Sequence, residues 1–92
     1  MKRNKLQEYM DSLDAIANGN NRVTQIMETA SINGTFLKKM LYIATQRGEV
    51  VETKKGSYSI GEKGLEFLNE WKQYKEFSKR IDSFLSDKNE KK

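Results

Sequence analysis

The feature that most constrains this chain is a long C-terminal segment, residues 62–87, whose apolar residues recur at helical spacing far past the reach of a small core. One set steps by four, three, four, three and four residues, namely Phe67, Trp71, Tyr74, Ser78, Ile81 and Leu85. This 3.5-residue period keeps one stripe of a helix facing a partner helix. The spacing predicts a dimer interface made by Trp71, Tyr74, Phe77, Ser78, Ile81, Phe84 and Leu85.

An alternative for this segment is a helix that packs on the domain only in its first turns, through Leu65, Leu68 and Trp71, and is solvated beyond them. A helix of about 26 residues spans roughly 39 Å, so Ile81 and Leu85 lie beyond the reach of a small domain. Large apolar side chains left in water also promote aggregation. Pairing of two chains is therefore the favoured interpretation.

Size and composition agree with pairing. The 92 residues allow one domain, which buries proportionally little surface. Cysteine and histidine are absent, so the sequence offers no disulfide, thiolate or imidazole ligand. No apolar run approaches the roughly 18 residues of a membrane span, and no signal-peptide core is visible. We expect a cytoplasmic protein with no metal, no cofactor and no membrane contact.

The charge balance favours a polyanionic partner without proving one. Seventeen Lys and Arg against thirteen Asp and Glu give a net charge of +4 and a pI near 9.3. The acidic residues are scattered, and the sequence shows no Gly-rich phosphate loop, metal cluster or nucleophile arrangement. We therefore expect a binding protein and no enzyme.

Three short helices are predicted before the long segment. Asn4 can cap the first, because its side chain accepts from a free amide of the first turn, and Gly19 offers a left-handed stop. The second helix covers residues 22–30. Asn33 caps a third helix, which ends before Gly48.

After this third helix the periodicity changes from helix to strand. Residues 50–53 and 57–60 read as the two strands of a β-hairpin, and Gly56 supplies the positive φ of its turn. On the second strand, alternation predicts that Tyr58 faces the domain and that Ser57 faces water.

The order helix, helix, helix, two-strand wing resembles the winged helix-turn-helix. Four segments carry the resemblance: residues 15–19, 24–27, 37–48 and 58–68, the last with an aromatic residue and an isoleucine ahead of Lys-Gly and an apolar helix. The nearest likeness is to the roughly ten-kilodalton archaeal chromatin-associated winged-helix proteins, which dimerise through a long C-terminal antiparallel coiled coil.

This resemblance, over about residues 5–85, implies a mainly α (α+β) fold divided into a winged helix-turn-helix DNA-binding domain (1–61), a dimerisation helix (62–87) and a disordered tail (88–92). The sequence departs from the family pattern at two positions. Gly61 stands where a Thr or Ser cap is usual, and Glu49 stands where an apolar residue commonly follows the glycine. The second departure suggests a one-residue shift in the first wing strand.

The resemblance places the third helix in the major groove, because the second helix of a helix-turn-helix pair reads the bases. Thr35 and Lys39 could reach base edges, while other polar groups contact phosphates. The candidate DNA-binding residues are Asn33, Thr35, Phe36, Lys38, Lys39 and Tyr42 on this helix, Lys54 and Lys55 on the wing, Arg22 at the start of the second helix, and Lys2 and Arg3 in a basic N-terminal arm.

Two interpretations of the basic residues stay open. In the first, the chain is a dimeric double-stranded DNA-binding protein, either a transcriptional regulator or a chromatin-associated protein. Its reading helix lacks Arg and Gln in the first two turns, so specificity should be modest and salt dependence strong. In the second, the lysines are solvated charges and the chain is a protein-interaction adaptor that binds no nucleic acid.

Overall fold

The computed structural model describes the backbone of residues 3–90 and the side chains of residues 3–85. Its elements in chain order are α1 (Lys5–Ala17), α2 (Val23–Ala30), α3 (Gly34–Arg47), β1 (Val50–Lys54), β2 (Ser57–Ile60) and α4 (Glu62–Glu90). This order confirms the predicted mainly helical winged helix with a two-strand wing and a long C-terminal helix.

Asparagine side chains begin two of the helices, as predicted. The Oδ1 atom of Asn4 accepts the backbone N–H of Gln7 at 2.8 Å, and the Oδ1 atom of Asn33 accepts that of Phe36 at 2.8 Å. Each bond satisfies one amide that has no partner within its helix. Because these caps fix where α1 and α3 begin, they also fix which side chains face the core.

α4 continues to Glu90, past the predicted end at residue 87. The cause is the absence of a stop signal, since no glycine or proline follows Gly64 in the sequence. The predicted disordered tail, residues 88–92, therefore begins inside the helix, and Lys91 and Lys92 lie outside the described residues.

The core lies where α1 packs against α2, α4 and β2, with α3 packed against α2 and β1. Its fully buried side chains lie on three helices, at intervals of three or four residues within a helix, and include Met10, Leu13, Ile26, Leu37 and Ala44. Leu68 of α4 is also buried. The first turns of α4 are thus part of the domain core, and the rest of the helix projects from it in a molecule 58 Å long and 25 Å wide.

The wing is an antiparallel hairpin in which Val50 pairs with Ile60 and Glu52 with Tyr58. A third segment joins it, because Arg22 forms an antiparallel bridge with Ser57. The prediction for Ser57 was therefore wrong: this residue is only 4% exposed. Strand alternation alone could not predict that Ser57 is buried, because the segment that bridges to it, at Arg22, is distant in the sequence.

Glycine is required where the chain returns from the wing into α4. The backbone N–H of Gly61 donates to the carbonyl oxygen of Glu49 at 2.8 Å. A Cβ atom on Gly61 would collide with the carbonyl of Gly48, and one on Gly64 would collide with that of Glu49. This close approach explains why Gly61 replaces the usual Thr or Ser cap.

Within the part of the chain that the structure describes, none of the helices has both the length and the apolar character that a membrane crossing requires. The same described residues contain no group of three or more His, Cys, Asp or Glu side chains placed to hold a metal ion.

Candidate nucleic-acid interface

The cap at Asn33 sets the rotation of α3, so that its inner face is formed by buried Leu37, Met40, Leu41 and Ala44. The opposite face points to solvent. Thr35, Lys38, Lys39 and Tyr42 are all exposed, as the helical spacing predicted. This face therefore offers two ammonium groups, two hydroxyl groups and an aromatic ring in just over two turns of helix.

Two predicted contact residues at the start of α3 have structural duties. The side-chain oxygen of Asn33 accepts the capping hydrogen bond, which leaves only its amide N–H groups for a phosphate. Phe36 is half-buried against the core, and the Nζ atom of Lys5 lies 4.9 Å from its ring centroid. Lys5 therefore adds a positive charge beside the N-terminus of α3 through a cation–π contact.

The wing tip carries the exposed Lys54 and Lys55. Its turn is closed by a carboxylate of the same hairpin, since the backbone N–H of Gly56 donates to Oε2 of Glu52 at 3.1 Å. Gly56 adopts a φ of 81°, the left-handed region that glycine adopts without a steric penalty. The two lysines thus project from a turn whose geometry is fixed by its neighbours.

An open groove of ≈ 460 Å³ separates α3 from the wing. Its walls include the candidate residues Lys38 and Tyr42 together with two residues that the sequence analysis missed, Thr45 and Gln46. Gln46 follows Tyr42 by one helical turn, so the same spacing could have identified it. Glutamine can bind adenine through two hydrogen bonds, which makes Gln46 the side chain in this groove best suited to base recognition.

The side chains of Arg22 and Arg3 differ in their exposure and in their contacts with the rest of the domain. Arg22 is exposed at the start of α2, and its bridge to Ser57 places it beside the wing. The Arg3 guanidinium instead donates to Oδ2 of Asp11 at 2.7 Å and to the carbonyl oxygens of Ala30 at 2.8 Å and Ser31 at 2.6 Å.

Arg3, predicted as part of a basic N-terminal arm that contacts DNA, thus has its guanidinium bonded to its own domain. Carbonyl groups at the end of a helix lack partners and attract a cation, and here the end of α2 binds Arg3 in that way. Lys2, the other predicted residue of the arm, lies outside the described residues.

A buried polar contact supports the interface from inside the domain. Glu49 is 7% exposed and accepts a hydrogen bond from the hydroxyl of Tyr9, while Nη1 of Arg47 lies 3.8 Å from its Oε2 atom. Burial, and then the hydrogen bond to Glu49, raise the pKa of Tyr9 well above its usual range. Tyr9 therefore remains a donor, and α1 is tied to the junction between α3 and the wing.

The first strand carries a one-residue irregularity, but not beside Glu49. Val50, rather than Glu49, begins β1 and pairs with Ile60. A one-residue shift is present further along the strand, between Glu52 and Lys54, where Lys54 rather than Thr53 pairs with Ser57. It does not lie at position 49, where the hydroxyl of Tyr9 donates to the Glu49 side chain before the strand begins.

Beyond the domain, α4 carries an apolar surface that we call the distal stripe: Tyr74, Phe77, Ser78, Ile81, Phe84 and Leu85. Its five large apolar side chains are between 40% and 64% exposed. Trp71 joins this stripe to the core, since it is half-buried and its ring stacks on that of Tyr74 at 5.7 Å between centroids. The stripe has no cover within the described part of the chain.

The fold and the basic α3 face together define a winged helix-turn-helix protein. A family model described as winged helix-turn-helix matches residues 2–79, which is most of the chain. The chain therefore belongs to the winged helix-turn-helix family. A search of curated proteins finds no match.

Among solved structures, the chain is similar to part of an O-methyltransferase, NcsB1 from neocarzinostatin biosynthesis. In the complex with S-adenosyl-L-homocysteine, identity is 22% and the TM-score is 0.56, over 65% of this chain and 20% of the methyltransferase chain. A second complex, which also contains 1,4-dihydroxy-2-naphthoic acid, gives 21% identity and a TM-score of 0.58, over 67% of this chain and 19% of that one. The matched part spans about a fifth of these relatives, and at this identity the likeness concerns the fold alone.

Proposed function

We propose that this chain is a dimeric double-stranded DNA-binding protein, either a transcriptional regulator or a chromatin-associated protein. The observation that carries the proposal is the exposed α3 face, with Lys38, Lys39 and Tyr42, beside the exposed wing lysines Lys54 and Lys55. In a winged helix, an exposed α3 can enter the major groove while the wing follows the backbone. Binding alone accounts for this surface, and the proposal includes no catalytic step.

Specificity in this proposal is limited by the kinds of side chain on α3. Lys38 and Lys39 are point charges without the planar donor pair of arginine, and Gln46 lies in the last turn, where base contact requires deep entry of the helix. Most of the binding free energy then comes from counterion release, and log K falls by about 0.9 per log unit of salt for each phosphate contact. A nucleoid-associated location follows from such binding.

Dimerisation through α4 completes the proposal, and an antiparallel arrangement fits the distal stripe. With Ser78 facing the partner's Ile81, Tyr74 faces the partner's Leu85, so each polar or aromatic position meets an aliphatic one. In a parallel pair the same positions face themselves, and Ser78 would meet the partner's Ser78 in the centre of an apolar interface.

The flanking positions favour the same orientation. In this antiparallel register Lys75 lies beside the partner's Asp82, and Phe77 lies beside the partner's Phe84. A parallel pair would instead place Phe77 beside the partner's Asp82. The resemblance to the archaeal ten-kilodalton family supports this choice, and we propose kinship with that family on the same residues.

The DNA-binding proposal is tested by titrating labelled duplex with the full chain at several salt concentrations. A variant with Lys38→Glu and Lys39→Glu should lose most of its affinity, with a smaller salt slope. The matched control, Lys72→Glu with Lys79→Glu, makes the same change in charge on the exposed side of α4. Equal affinity for the α3 variant and the unmodified chain would refute the proposal.

Selected and random duplexes distinguish the two biological roles. A regulator should prefer its selected site by at least about a thousandfold, whereas an architectural protein should bind both nearly equally. The measurement is meaningful only at matched salt, because the phosphate contribution changes with ionic strength.

A second candidate function is a protein-interaction adaptor. It is favoured by apolar side chains exposed on the domain itself, Ile43 on α3 and Val51 on β1. If the charge-reversed α3 variant keeps its function in the cell, the adaptor is the better proposal.

A further inference from the structure

An open groove between the start of α1 and the middle of α4 is the strongest surface that the DNA-binding proposal leaves unused. Its volume is ≈ 410 Å³, and its walls are Asn4, Leu6, Phe67, Glu70, Trp71 and Tyr74. We call it the α1–α4 groove. It lies on α4 at the point where the domain core ends and the distal stripe begins.

The exposure of Leu6 is not explained by the packing within a single chain. This residue precedes Met10 and Leu13 on the inner face of α1, and both of those are fully buried, yet Leu6 is 49% exposed. On α4, Trp71 and Tyr74 likewise extend the apolar face of buried Leu68 past the edge of the core. Two apolar stripes, one from each helix, therefore run out of the core into the same groove.

The direction of the two helices limits what can fill this groove. Leu6 lines it with Trp71 and Tyr74, while the ring of Tyr9 meets that of Phe67 further along at 6.4 Å between centroids. α1 therefore runs antiparallel to α4 and covers the proximal part of its apolar face. A partner helix can therefore cover only the distal part of this α4 face, which extends past the first turn of α1.

A parallel partner would fit poorly, because each copy carries its own α1 on the same face of α4. Two α1 helices would then lie between the proximal halves of the paired α4 helices. Packed helices are separated by about 8–10 Å, so the intervening α1 helices would force the pair apart near Trp71. An antiparallel partner instead brings its distal end to the place where α1 begins.

We infer that the α1–α4 groove receives the distal end of α4 from a second copy of this chain, with the partner's Leu85 against Leu6 and Tyr74. The inference rests on the dimerisation in the proposed function and adds a contact between each helix and the other copy's winged-helix domain. The register that sets Lys75 beside the partner's Asp82 brings the partner's Leu85 to Tyr74, at the mouth of the groove. Leu6 thereby becomes part of the dimer interface and fixes each winged-helix domain relative to the paired α4 helices.

Crosslinking between two single-cysteine variants tests this contact, because the natural sequence contains no cysteine. Leu6→Cys and Leu85→Cys chains are mixed, allowed to exchange subunits and treated with a short thiol-to-thiol crosslinker. A link between position 6 of one chain and position 85 of the other can only be intermolecular. Val51→Cys mixed with Leu85→Cys is the matched control, since Val51 and Leu6 are 48% and 49% exposed.

The expected result is a covalent dimer from the Leu6 pair and none from the Val51 pair. In sedimentation of the full chain, Leu6→Ser should raise the dimer dissociation constant about tenfold, because each dimer loses two apolar contacts, whereas Val51→Ser should leave it unchanged.

The possible failures are distinguishable. A dimer that links only position 85 to position 85 is parallel, and it overturns the inference while leaving dimerisation intact. A dimer that gives neither link also overturns the inference. A chain that sediments as a monomer at all concentrations overturns the inference together with the dimeric part of the proposed function, and duplex titration then decides the DNA-binding part separately.

Discussion

The winged-helix core and the distal half of α4 use the same kinds of apolar residue at the same helical spacing, yet they have opposite environments. Leu13 and Leu37 are fully buried, whereas Phe77 and Phe84 are 64% and 61% exposed. The core residues meet side chains from other elements of their own chain, and those of the distal stripe do not within the described residues. Helical periodicity therefore identifies an apolar surface, and the position along the chain decides whether other elements of the same chain cover it.

The largest expected effect separates these two regions directly. Leu13→Ala should lower the free energy of unfolding by about 2–5 kcal/mol, because it removes buried methyl groups and leaves a cavity. Phe84→Ala should act mainly on dimerisation, so its effect should depend on protein concentration. Urea unfolding of both variants at low and high protein concentration measures the difference. If both losses were equally independent of concentration, the contrast between the regions would fail.

A second substitution tests the junction between the wing and α4. Gly64→Ala should destabilise the domain by about 1–3 kcal/mol, since the added methyl group collides with the carbonyl oxygen of Glu49. Gly34→Ala is the matched control, because a Cβ there meets only Met27 at ordinary contact distance. Thermal unfolding of the two variants provides the comparison, and equal midpoints would contradict the packing described for Gly64.

Tyr9 tests whether the core also depends on its buried polar contact. Tyr9→Phe should cost about 1–2 kcal/mol at neutral pH, because the carboxylate of buried Glu49 loses its donor. Tyr42→Phe, which changes an exposed ring, is the control. Urea unfolding near pH 7 measures both.

The same tyrosine predicts a dependence on alkaline pH. Burial raises the pKa of Tyr9 in the folded state above its usual value of 10.0, so folding favours the neutral hydroxyl. Its contribution to stability is then fully present below pH 10 and declines as the pH rises above that value. The Tyr9→Phe variant should show a smaller alkaline loss than the unmodified chain, and an equal loss would argue against this assignment.

The smallest expected effect concerns charges beside the distal stripe. Lys75→Glu should weaken the dimer by about 0.2–1 kcal/mol for each exposed ion pair lost, and the combined Lys75→Glu and Asp82→Lys variant should restore it. Sedimentation at low salt is the appropriate measurement, because screening hides such pairs at high salt. A double variant no tighter than Lys75→Glu alone would contradict the proposed antiparallel register.

Local signals in the sequence were sufficient for the elements of the fold. Asn4 and Asn33 cap the helices that their positions predicted, and the exposed side of α3 follows from the spacing of Leu37 and Leu41. Each of these features depends on neighbours within about one helical turn, which a single sequence displays directly.

What could not be predicted depends on contacts between distant residues. Ser57 is buried by the bridge from Arg22, Arg3 is bound by the end of α2, and Glu49 is accommodated by Tyr9. The spacing of apolar and polar residues carries no information about such pairings. Leu6 likewise stands four residues before Met10, at the spacing of a core position, yet it is 49% exposed whereas Met10 is buried.

We expect α4 to be stiff, because no glycine or proline follows Gly64 in the sequence. A helix without these residues has no ready point of bending, so the separation of the two domains in the proposed dimer is set by a residue count and not by a flexible tether. Seven added residues would preserve the phase of the stripe and move the domains apart by about 10 Å. In the proposed dimer, the length of α4 would thus determine the spacing of the DNA segments that both copies can contact at once.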